Sequence, residues 1–270
     1  MPQPKILTFT TDFGTSDTYA GQMRGVVLSV VPEATLVDLS HDVPAHDVAA
    51  GAYVLQTGYS VFPMGTIHIA IVDPGVGTSR RGIAVRTERY IFIAPDNGIL
   101  TRVLEEDPPR EAYVLEASHY RRPSVSATFE GRDVFAPAAA WIARGVPISN
   151  LGPPAGEIVR LPVHRSPIES GVTVRARVLL VDRFGNVTLD LPRRYLEAAL
   201  RDPGAVVRIH VSTPRGQVNA FCGTYAEAPG ADPFLVWNSA DHLEVAVRNG
   251  RAADKLGLAA GDDVEVVIAL

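Results

Sequence analysis

The sequence lacks both the cysteines from which disulfide frameworks and cysteine metal sites are built and the long apolar runs that form membrane spans. Cys222 is the one cysteine among 270 residues, so neither a disulfide nor a cysteine zinc site can form within one chain. No stretch approaches the roughly 20 consecutive apolar residues that a membrane helix needs. The chain reaches a predicted strand by Lys5 without the apolar core of a signal peptide. We therefore expect a cytoplasmic protein that does not enter a membrane.

Positive charge is also scarce. The 25 lysines and arginines are outnumbered by 30 aspartates and glutamates, which gives a formal net charge of −5. The sequence has no basic run, and such runs are what attracts a protein to nucleic acid. We therefore expect no nucleic-acid partner. The hydrophobic fraction of 46% is ordinary for a globular protein, and the length suits one large or two ordinary domains.

The most informative stretch of the sequence is residues 66–82. An apolar run, Thr66–Val72, predicts a buried strand. Asp73, Pro74 and two glycines end this strand abruptly, and Arg80 follows Asp73 by seven residues on the same loop. Ligands bind at the carboxyl ends of strands in open α/β sheets, so this carboxylate and this guanidinium predict a binding site. The same residues also fit a capped turn with solvated arginines, and this stretch alone leaves both interpretations open.

In the first half of the chain, short apolar strands alternate with amphipathic helices at the spacing of βαβ units. This pattern predicts an N-terminal α/β domain with a parallel sheet over residues 1–150. The predicted strands are Lys5–Phe9, Thr35–Leu39, Thr66–Val72, Ile83–Arg86 and Tyr90–Ala94. The predicted helices include Met23–Val30, Val48–Val61, Ile99–Leu104 and Val134–Ala143.

The pattern changes after residue 150. Residues 151–167 are rich in proline and glycine and predict a linker. Residues 168–270 contain short alternating strands between turns, which predict a small C-terminal antiparallel β-barrel domain. The predicted strands of this domain are Val172–Val181, Val206–Val211, Phe234–Trp237, Leu243–Val247 and Val264–Ala269.

Four loops of the first half contain most of the polar groups that could do chemistry. They are Asp12/Asp17, His41/His46/Asp47, Asp73/Arg80 and Glu130/Arg132/Asp133. The first three loops follow predicted parallel strands, so we expect them to converge on one edge of the sheet. We expect the isolated histidines to lie in the core or on the surface rather than in a catalytic site. These are His68, His119, His164, His210 and His242.

Residue types alone leave two chemistries open. One is a hard-metal site of a metal-dependent hydrolase, although turn caps explain each aspartate equally well. The other is a metal-free ribose site, in which a carboxylate at a strand end holds the ribose hydroxyls. In that case Asn186 could pair with a purine edge and Phe184 could stack on it. The candidate metal ligands are Asp12, Asp17, His46 and Asp47.

Several motifs are spread in order over nearly the whole chain. They are TDFGTSD at Thr11–Asp17, VDPGVGTSRR at Val72–Arg81, APDNG at Ala94–Gly98, TFEGRDVFAPAAA at Thr128–Ala140, DRFGN at Asp182–Asn186 and WNS at Trp237–Ser239. Together they resemble the S-adenosylmethionine hydrolase (adenosine-forming) family, also called S-adenosylmethionine hydroxide adenosyltransferases. The bacterial fluorinase and chlorinase are relatives of this family.

The resemblance implies an N-terminal α/β domain, a C-terminal β-barrel and a homotrimer. Each active site would lie between the first domain of one subunit and the second domain of a neighbour. The implied reaction converts S-adenosyl-L-methionine and water into adenosine and L-methionine by attack of an activated water or hydroxide at ribose C5′. No metal and no other cofactor is implied.

The resemblance also assigns roles by motif position. Asp73 and Arg80 would be two members of the family's catalytic Asp–Arg–His set, and Asp12 would hold the ribose hydroxyls. Asp17 and Ser239 would bind the amino-acid end of methionine. The other implied substrate contacts are His46, Phe129, Asp182, Phe184, Asn186 on the adenine, and Asn238.

The third catalytic position departs from the family pattern. The family motif reads TFHGRD, and this chain has Glu130 in place of the histidine. A glutamate could accept a proton from water, could pair with Arg80 or Arg132 and orient it, or could leave a protein that only binds adenosine or S-adenosylmethionine. The halogenases have Tyr at the position of Asp73 and Ser at that of Gly131. We therefore expect a hydrolase rather than a halogenase.

Overall fold

The computed structural model describes residues 5–162, 173–197, 208–228 and 230–269. The chain divides into two compact units after Leu161, and each unit has a hydrophobic core of its own. Among the residues in these ranges, no helix is both long enough and apolar enough to cross a bilayer.

A six-stranded sheet forms the centre of the first unit. Its strands are β1 (Ile6–Thr11), β2 (Thr35–Ser40), β3 (Ile67–Ile71), β4 (Gly82–Arg86), β5 (Ile91–Pro95) and β6 (Glu111–Val114). Their order across the sheet is β2-β1-β3-β5-β4-β6. β1 pairs in parallel with β2 and β3, and β3 with β5, whereas β4 is antiparallel to β5 and β6. The parallel strands therefore end at a shared edge.

Helices cover both faces of this sheet. They are α1 (Tyr19–Val30), α2 (Val48–Tyr59), α3 (Val103–Glu106) and α4 (Ala136–Ala143), with a π turn at Gly131–Phe135 and 3-10 turns at Ser118–Tyr120 and Ile148–Leu151. Leu7 and Phe9 of β1 share one core with Met23 of α1. Phe92 of β5 shares the core of the other face with Leu55 of α2. The period-2 alternation of the strands thus produces a three-layer α/β/α unit.

An antiparallel sheet that curls into a nearly closed barrel forms the second unit. Its strands are β7 (Thr173–Val181), β8 (Val187–Pro192), β9 (Arg208–Thr213), β10 (Gly216–Val218), β11 (Pro233–Trp237), β12 (His242–Val247) and β13 (Asp263–Ala269). Their order is β10-β9-β13-β7-β8-β12-β11. Two short helices, α5 (Arg193–Glu197) and α6 (Ala252–Leu256), and a 3-10 turn at Tyr225–Glu227 accompany them. The predicted fold class, a parallel-sheet α/β domain followed by a β-barrel, is confirmed.

Most of the predicted strands and helices are present with small differences at their ends. The helix predicted at Ile99–Leu104 is misplaced, because helix α3 begins at Val103 and turns occupy the residues before it. Strands β6, β8 and β10 were not predicted, and two of them are short enough that alternation is a weak signal. The prediction for His164 and the first residues of two predicted strands, Val172 and Val206, lie outside the described residues.

Part of the predicted linker is hydrogen-bonded to the first unit. The backbone N–H of Val159 donates to Asp96 at 2.9 Å, and that of Leu161 donates to Thr101 at 2.8 Å. Arg81 also donates to the carbonyl of Glu157 at 2.7 Å. Residues 163–167 lie outside the described residues. Proline and glycine content predicts the irregular backbone here, but the sequence pattern does not show which distant side chains bind it.

Candidate active site

A cavity of about 350 Å³, which we call the front cavity, lies at the edge of the first sheet where the parallel strands end. The loops after β1, β2 and β3 converge there, as predicted from the parallel arrangement of the strands. A fourth loop, which precedes α4, completes the wall. The predicted site residues that line the front cavity are Asp12, His46, Asp73, Phe129 and Glu130.

Arg80 joins two carboxylates at the wall of this cavity. Its guanidinium binds both carboxylate oxygens of Asp73, with Nε donating to Oδ1 at 2.9 Å, and it donates to Oε2 of Glu130 at 2.6 Å. The side chains of Arg80, Asp73 and Glu130 are 11%, 6% and 24% exposed. Burial lowers the pKa of Arg80, but hydrogen bonds and charge from Asp73 and Glu130 outweigh it, so the net shift is upward and the guanidinium stays protonated.

The loop that contains Asp73 and Arg80 is shaped by a close backbone contact. Gly77 has a φ of +77°, and a Cβ atom there would lie 2.7 Å from the carbonyl oxygen of Ala127. Both the positive φ and the lack of space for a Cβ atom therefore require glycine at position 77. The turn brings Arg80 back toward Asp73, and the guanidinium also lies 5.2 Å from the ring centroid of Phe135. This contact adds a cation–π interaction that holds Arg80 in place.

A buried carboxylate, Asp133, anchors the loop that contains Glu130. Asp133 accepts hydrogen bonds from the backbone of Ser126 at 2.8 Å and from Nε of Arg132 at 2.7 Å. The Arg132 hydrogen bond is the main reason that the pKa of Asp133 lies below its ordinary value. The sequence offered Arg80 and Arg132 as partners of Glu130. In the structure Arg132 pairs with Asp133, and Arg80 binds Glu130.

Proline accounts for the π turn that follows Glu130. Pro137 has no N–H, so it cannot donate to the carbonyl of Asp133 four residues earlier. That carbonyl instead accepts a hydrogen bond from the backbone of Arg122 at 3.0 Å. The N–H of Ala136 reaches back to the carbonyl of Gly131, which closes the wider turn. Single π turns of this kind are frequent at functional sites.

Asp12 is held by the loop after β2. One of its carboxylate oxygens accepts the backbone N–H of His46 at 2.8 Å. His46 has a φ of +65°, a conformation that is uncommon outside glycine. This backbone conformation places an N–H donor beside Asp12 at the cavity wall. The second carboxylate oxygen of Asp12 meets the requirement of a ribose site, an acceptor for a hydroxyl group.

Two other predicted aspartates serve as local caps. Asp17 is exposed, accepts the backbone N–H of Tyr19 at 3.0 Å, and does not line the front cavity. Asp47 caps α2 by accepting the N–H of Ala50 at 3.0 Å. Within the described ranges, no group of three His, Cys, Asp or Glu side chains is placed to hold a metal ion.

The aromatic side of the front cavity was only partly predicted. The rings of Phe13 and Tyr19 lie 5.8 Å and 4.8 Å from that of Phe129, all in edge-on arrangements. Phe13 follows Asp12 directly in the sequence, and Tyr19 is the first residue of α1. Their position within or just after the TDFGTSD motif could have identified both as site residues. These rings give the cavity a face suited to an apolar or cationic group.

The second unit has a cavity of about 630 Å³ that contains Asp182, Phe184 and Asn186. These residues form the hairpin turn between β7 and β8. Both the backbone N–H and the side-chain amide of Asn186 donate to the Asp182 carboxylate, at 2.9 Å and 3.0 Å. Phe184 at the tip of the turn is 75% exposed. An exposed ring beside a fixed amide is the arrangement that would stack on and pair with a base.

Asn238 and Ser239 occupy the turn between β11 and β12, and neither lines that cavity. The side-chain oxygen of Asn238 accepts the backbone N–H groups of Ala240 and His242, both at 3.0 Å. Sequence reasoning missed the buried Glu244, whose carboxylate accepts the hydroxyl of Tyr225 at 2.6 Å. Burial is the main reason that the pKa of Glu244 is raised.

Comparison with known proteins relates the whole chain to one group. The S-adenosylmethionine (SAM) hydroxide adenosyltransferase N-terminal domain family matches residues 7–152, and the corresponding C-terminal domain family matches residues 176–265. The (R)-S-adenosyl-L-methionine hydrolase of Salinispora arenicola (strain CNS-205) is 39% identical over 264 residues, which cover 96% of this chain and 97% of the relative. The hydrolase of the same name from Thermus thermophilus is 36% identical over 268 residues, with 96% and 98% coverage.

Two further comparisons concern a more distant enzyme and a solved structure. The fluorinase of Actinoplanes sp. (strain N902-109) is 29% identical over 288 residues, with 97% of each chain covered. The crystal structure of an uncharacterized conserved protein from Thermotoga maritima matches with a TM-score of 0.85 and 32% identity, and covers 97% of this chain and 99% of that one.

Proposed function

The chain belongs to the SAM hydroxide adenosyltransferase family, and from that premise we propose that it hydrolyses S-adenosyl-L-methionine to adenosine and L-methionine. The names of the hydrolase relatives specify the (R) epimer at sulfur, and we propose the same preference for this chain. The observation that supports the proposal most is the Asp73–Arg80–Glu130 ion-pair group at the wall of a cavity that also contains Asp12.

The main requirement of this reaction is that the protein positions the substrate and the attacking water correctly. The sulfonium of SAM is cationic and departs as a neutral thioether, so the leaving group needs no general acid and the step needs no metal or other cofactor. The enzyme has to align a water in line with C5′ and to accept the proton that this water loses. Two carboxylates that share one guanidinium leave a formal charge of −1, which favours a cationic substrate.

We assign the roles of the front-cavity residues from this arrangement, and those of Asp17, Asn238 and Ser239 from the family resemblance. Asp73, Arg80 and Glu130 position the water and take up its proton, and Asp12 holds the ribose hydroxyls. His46 fixes Asp12 through its backbone N–H, and Phe129 contacts the substrate from the aromatic side. Asp17 and Ser239 bind the methionine end, with Asn238 fixing the turn of Ser239.

The second unit supplies the base contacts in this proposal. Phe184 stacks on the adenine, Asn186 pairs with its edge, and Asp182 fixes Asn186. We also propose that the chain is a homotrimer, in which these groups of one subunit serve a neighbouring subunit. The proposal places the protein in the cytoplasm with no nucleic-acid or membrane partner.

The first experiment is a product assay. The protein, treated with a chelator, is incubated separately with each sulfonium epimer of SAM, with and without excess chloride, and the products are separated by chromatography. Equal amounts of adenosine and methionine, more from the (R) epimer and unaffected by the chelator, are the expected result. Asp73→Asn in parallel identifies turnover by a contaminating enzyme.

The other outcomes separate the alternatives. Formation of 5′-chloro-5′-deoxyadenosine would identify a halogenase. SAM that binds without being consumed would identify a binding protein, and would point to Glu130, in place of the family histidine, as the cause of the missing activity. Activity that the chelator removes and a divalent metal restores would contradict the metal-free mechanism.

A further inference from the structure

A second, smaller cavity is lined by both members of the Arg80–Glu130 ion pair, and we call it the rear cavity. Its volume is about 170 Å³, well above the roughly 10–15 Å³ that a cavity needs to hold one water molecule. It is lined by three arginines, Arg80, Arg81 and Arg121, and by two glutamates, Glu116 and Glu130. A space lined by this many charged groups favours water over apolar contents.

The rear cavity reaches the protein surface. Two of its lining residues, Ser79 and Glu116, are exposed, and from this we infer that its mouth lies between them. Nε of Arg121, one of the lining residues, is buried and has no hydrogen-bond partner among the described residues, although the other end of this guanidinium donates to the carbonyl of Leu115. A buried donor of this kind is normally satisfied by an ordered water.

Glu130 lines both the front cavity and the rear cavity. Asp73, the other carboxylate on Arg80, lines the front cavity but not the rear one. Arg80 donates to Oε2 of Glu130 at 2.6 Å and is the one hydrogen-bond partner of this side chain among the described residues. Glu130 is therefore the titratable group that touches both the space for substrate and a separate space open to solvent.

We propose that the rear cavity is the route by which water reaches the reacting carbon and the released proton leaves while substrate fills the front cavity, and that Glu130 passes the proton between the two. The proposal rests on the hydrolase function. In the step, a bond forms between the water oxygen and C5′, and the C5′–S bond breaks with its electron pair moving to sulfur. The proton that the water loses goes to the Glu130 carboxylate and then to water in the rear cavity.

Chemical rescue tests this route. Glu130→Ala lacks the proton acceptor, and its kcat is expected to fall by roughly 100-fold. The substitution also joins additional space to the rear cavity, so formate is expected to enter from behind bound substrate and raise kcat by roughly 10-fold. Acetate should rescue less and pivalate not at all, because the rear cavity is small. The KM for SAM should not change with any of these acids.

Plugging the mouth separates the rear route from the front one. Ser79→Phe added to Glu130→Ala is expected to abolish formate rescue, whereas the matched control Ser79→Ala should retain it. Glu116→Phe and its control Glu116→Gln repeat the comparison from the other side of the mouth. Adenosine affinity measured by calorimetry should stay the same in all four variants, which shows that the front cavity is intact.

Three results bear on the two proposals separately. Formate rescue that persists in both plugged variants would overturn the rear route, and so would a Glu130→Ala protein that no small acid rescues while the wild type hydrolyses SAM. A wild type that makes no adenosine from either SAM epimer would instead contradict the hydrolase function itself, before any variant is compared.

Discussion

Glu130 occupies the position at which the resembled hydrolases have a histidine, and its contact with Arg80 narrows what it can do. In this contact Glu130 binds a guanidinium that is also bound to Asp73. Hydrogen bonds between charged groups are stronger than those between neutral groups, so we expect the side chains of Asp73, Arg80 and Glu130 to be held rigidly. Both open roles, proton acceptor and orienting partner of Arg80, are compatible with this geometry, and the rescue experiment distinguishes them.

Asp73→Asn is expected to lower kcat by roughly 100-fold, because the neutral amide loses the bidentate pairing that orients Arg80 at the water. Adenosine affinity should remain close to that of the wild type, since Asp73 is assigned to the water and not to the ribose. Steady-state kinetics and calorimetry check the two halves of this prediction. Asp42→Asn, at an exposed carboxylate outside the front cavity, is the control. Loss of adenosine binding in Asp73→Asn would show that its role is misassigned.

Asp12→Ala is expected to weaken adenosine binding by roughly 10- to 100-fold, since hydrogen bonds to charged groups contribute about 1.5–3 kcal/mol each. Calorimetry with adenosine measures the effect, and Asp42→Ala serves as the control. The backbone N–H of His46 also loses its acceptor, so thermal unfolding should accompany the binding measurement. An affinity equal to that of the wild type would contradict the ribose assignment.

His68 is expected to make the stability of the protein depend on pH. Its side chain is fully buried among aromatic rings, and burial lowers its pKa from 6.5 to about 3. The unfolded chain therefore binds a proton below pH 6.5 that the folded protein does not bind until about pH 3. The stability that this neutral histidine allows is fully present above pH 6.5 and is lost as the pH falls toward 3.

The measurement is urea unfolding of the wild type and His68→Phe at pH 7 and pH 5. The wild type should lose about 2 kcal/mol more than the variant over this interval, because the shift costs about 1.4 kcal/mol for each pH unit below the unfolded pKa. His68→Phe also removes the acceptor or donor of Thr8, which lies 2.7 Å from Nδ1, so the comparison uses slopes with pH and not absolute stabilities. Equal slopes would contradict the prediction.

At the scale of elements, the site depends on how loops enter helices. Helix α1 follows the loop of Asp12, helix α2 follows that of His46, and the π turn before α4 follows Glu130. Each entry has a local cause: the Asp17 turn, the Asp47 cap and the proline at position 137. These causes set the direction in which each loop leaves the sheet edge, and with it the position of the side chains proposed to be catalytic.

Asp47→Ala is expected to destabilise the protein by about 1 kcal/mol, because α2 loses its N-terminal cap. The loop that contains His46 should also become more mobile. Because this loop holds Asp12, which is proposed to bind the ribose, the KM for SAM should rise while kcat changes little. Asp47→Ser retains a capping oxygen and is the matched control. Urea unfolding and steady-state kinetics provide the two readouts. An Asp47→Ser variant as unstable as Asp47→Ala would show that the cap is not the cause.

At the scale of the whole molecule, the predicted site residues are divided between two units. Asp12, Asp73 and Glu130 line a cavity of the first unit, and Phe184 and Asn186 line one of the second. In the homotrimer proposed above, Phe184 and Asn186 of one copy would contact substrate held by Asp12, Asp73 and Glu130 of a neighbouring copy. Oligomeric state is therefore a direct test of how the substrate is enclosed.

Light scattering should give a mass of about three times the 28.9 kDa of the chain. Dilution should lower the specific activity once the trimer dissociates, because a site shared between copies is incomplete in the monomer. Size-exclusion chromatography coupled to the adenosine assay measures both quantities over one concentration series. A monomer with full activity would contradict a site that needs two copies.

Local sequence patterns were enough to predict the fold class and the edge at which the first-unit site residues gather. Alternation of strands and helices has fixed periods, and the carboxyl ends of parallel strands share one edge, so Asp12, His46 and Asp73 could be grouped without coordinates. The DRFGN turn and the TDFGTSD loop are similarly local, since the residues that form each turn are neighbours in the chain, although strand β8 after the DRFGN turn was not predicted.

Long-range packing, in contrast, set the partner of Glu130, the burial of His68 and the existence of the rear cavity. Glu130 and Arg80 are 50 residues apart, and sequence reasoning left Arg80 and Arg132 equally open as partners. The choice depends on the packing of the loop before α4, where Asp133 takes Arg132. Periodicity and turn chemistry act over a few residues, whereas such contacts and the spaces between them are set by the three-dimensional packing of distant segments.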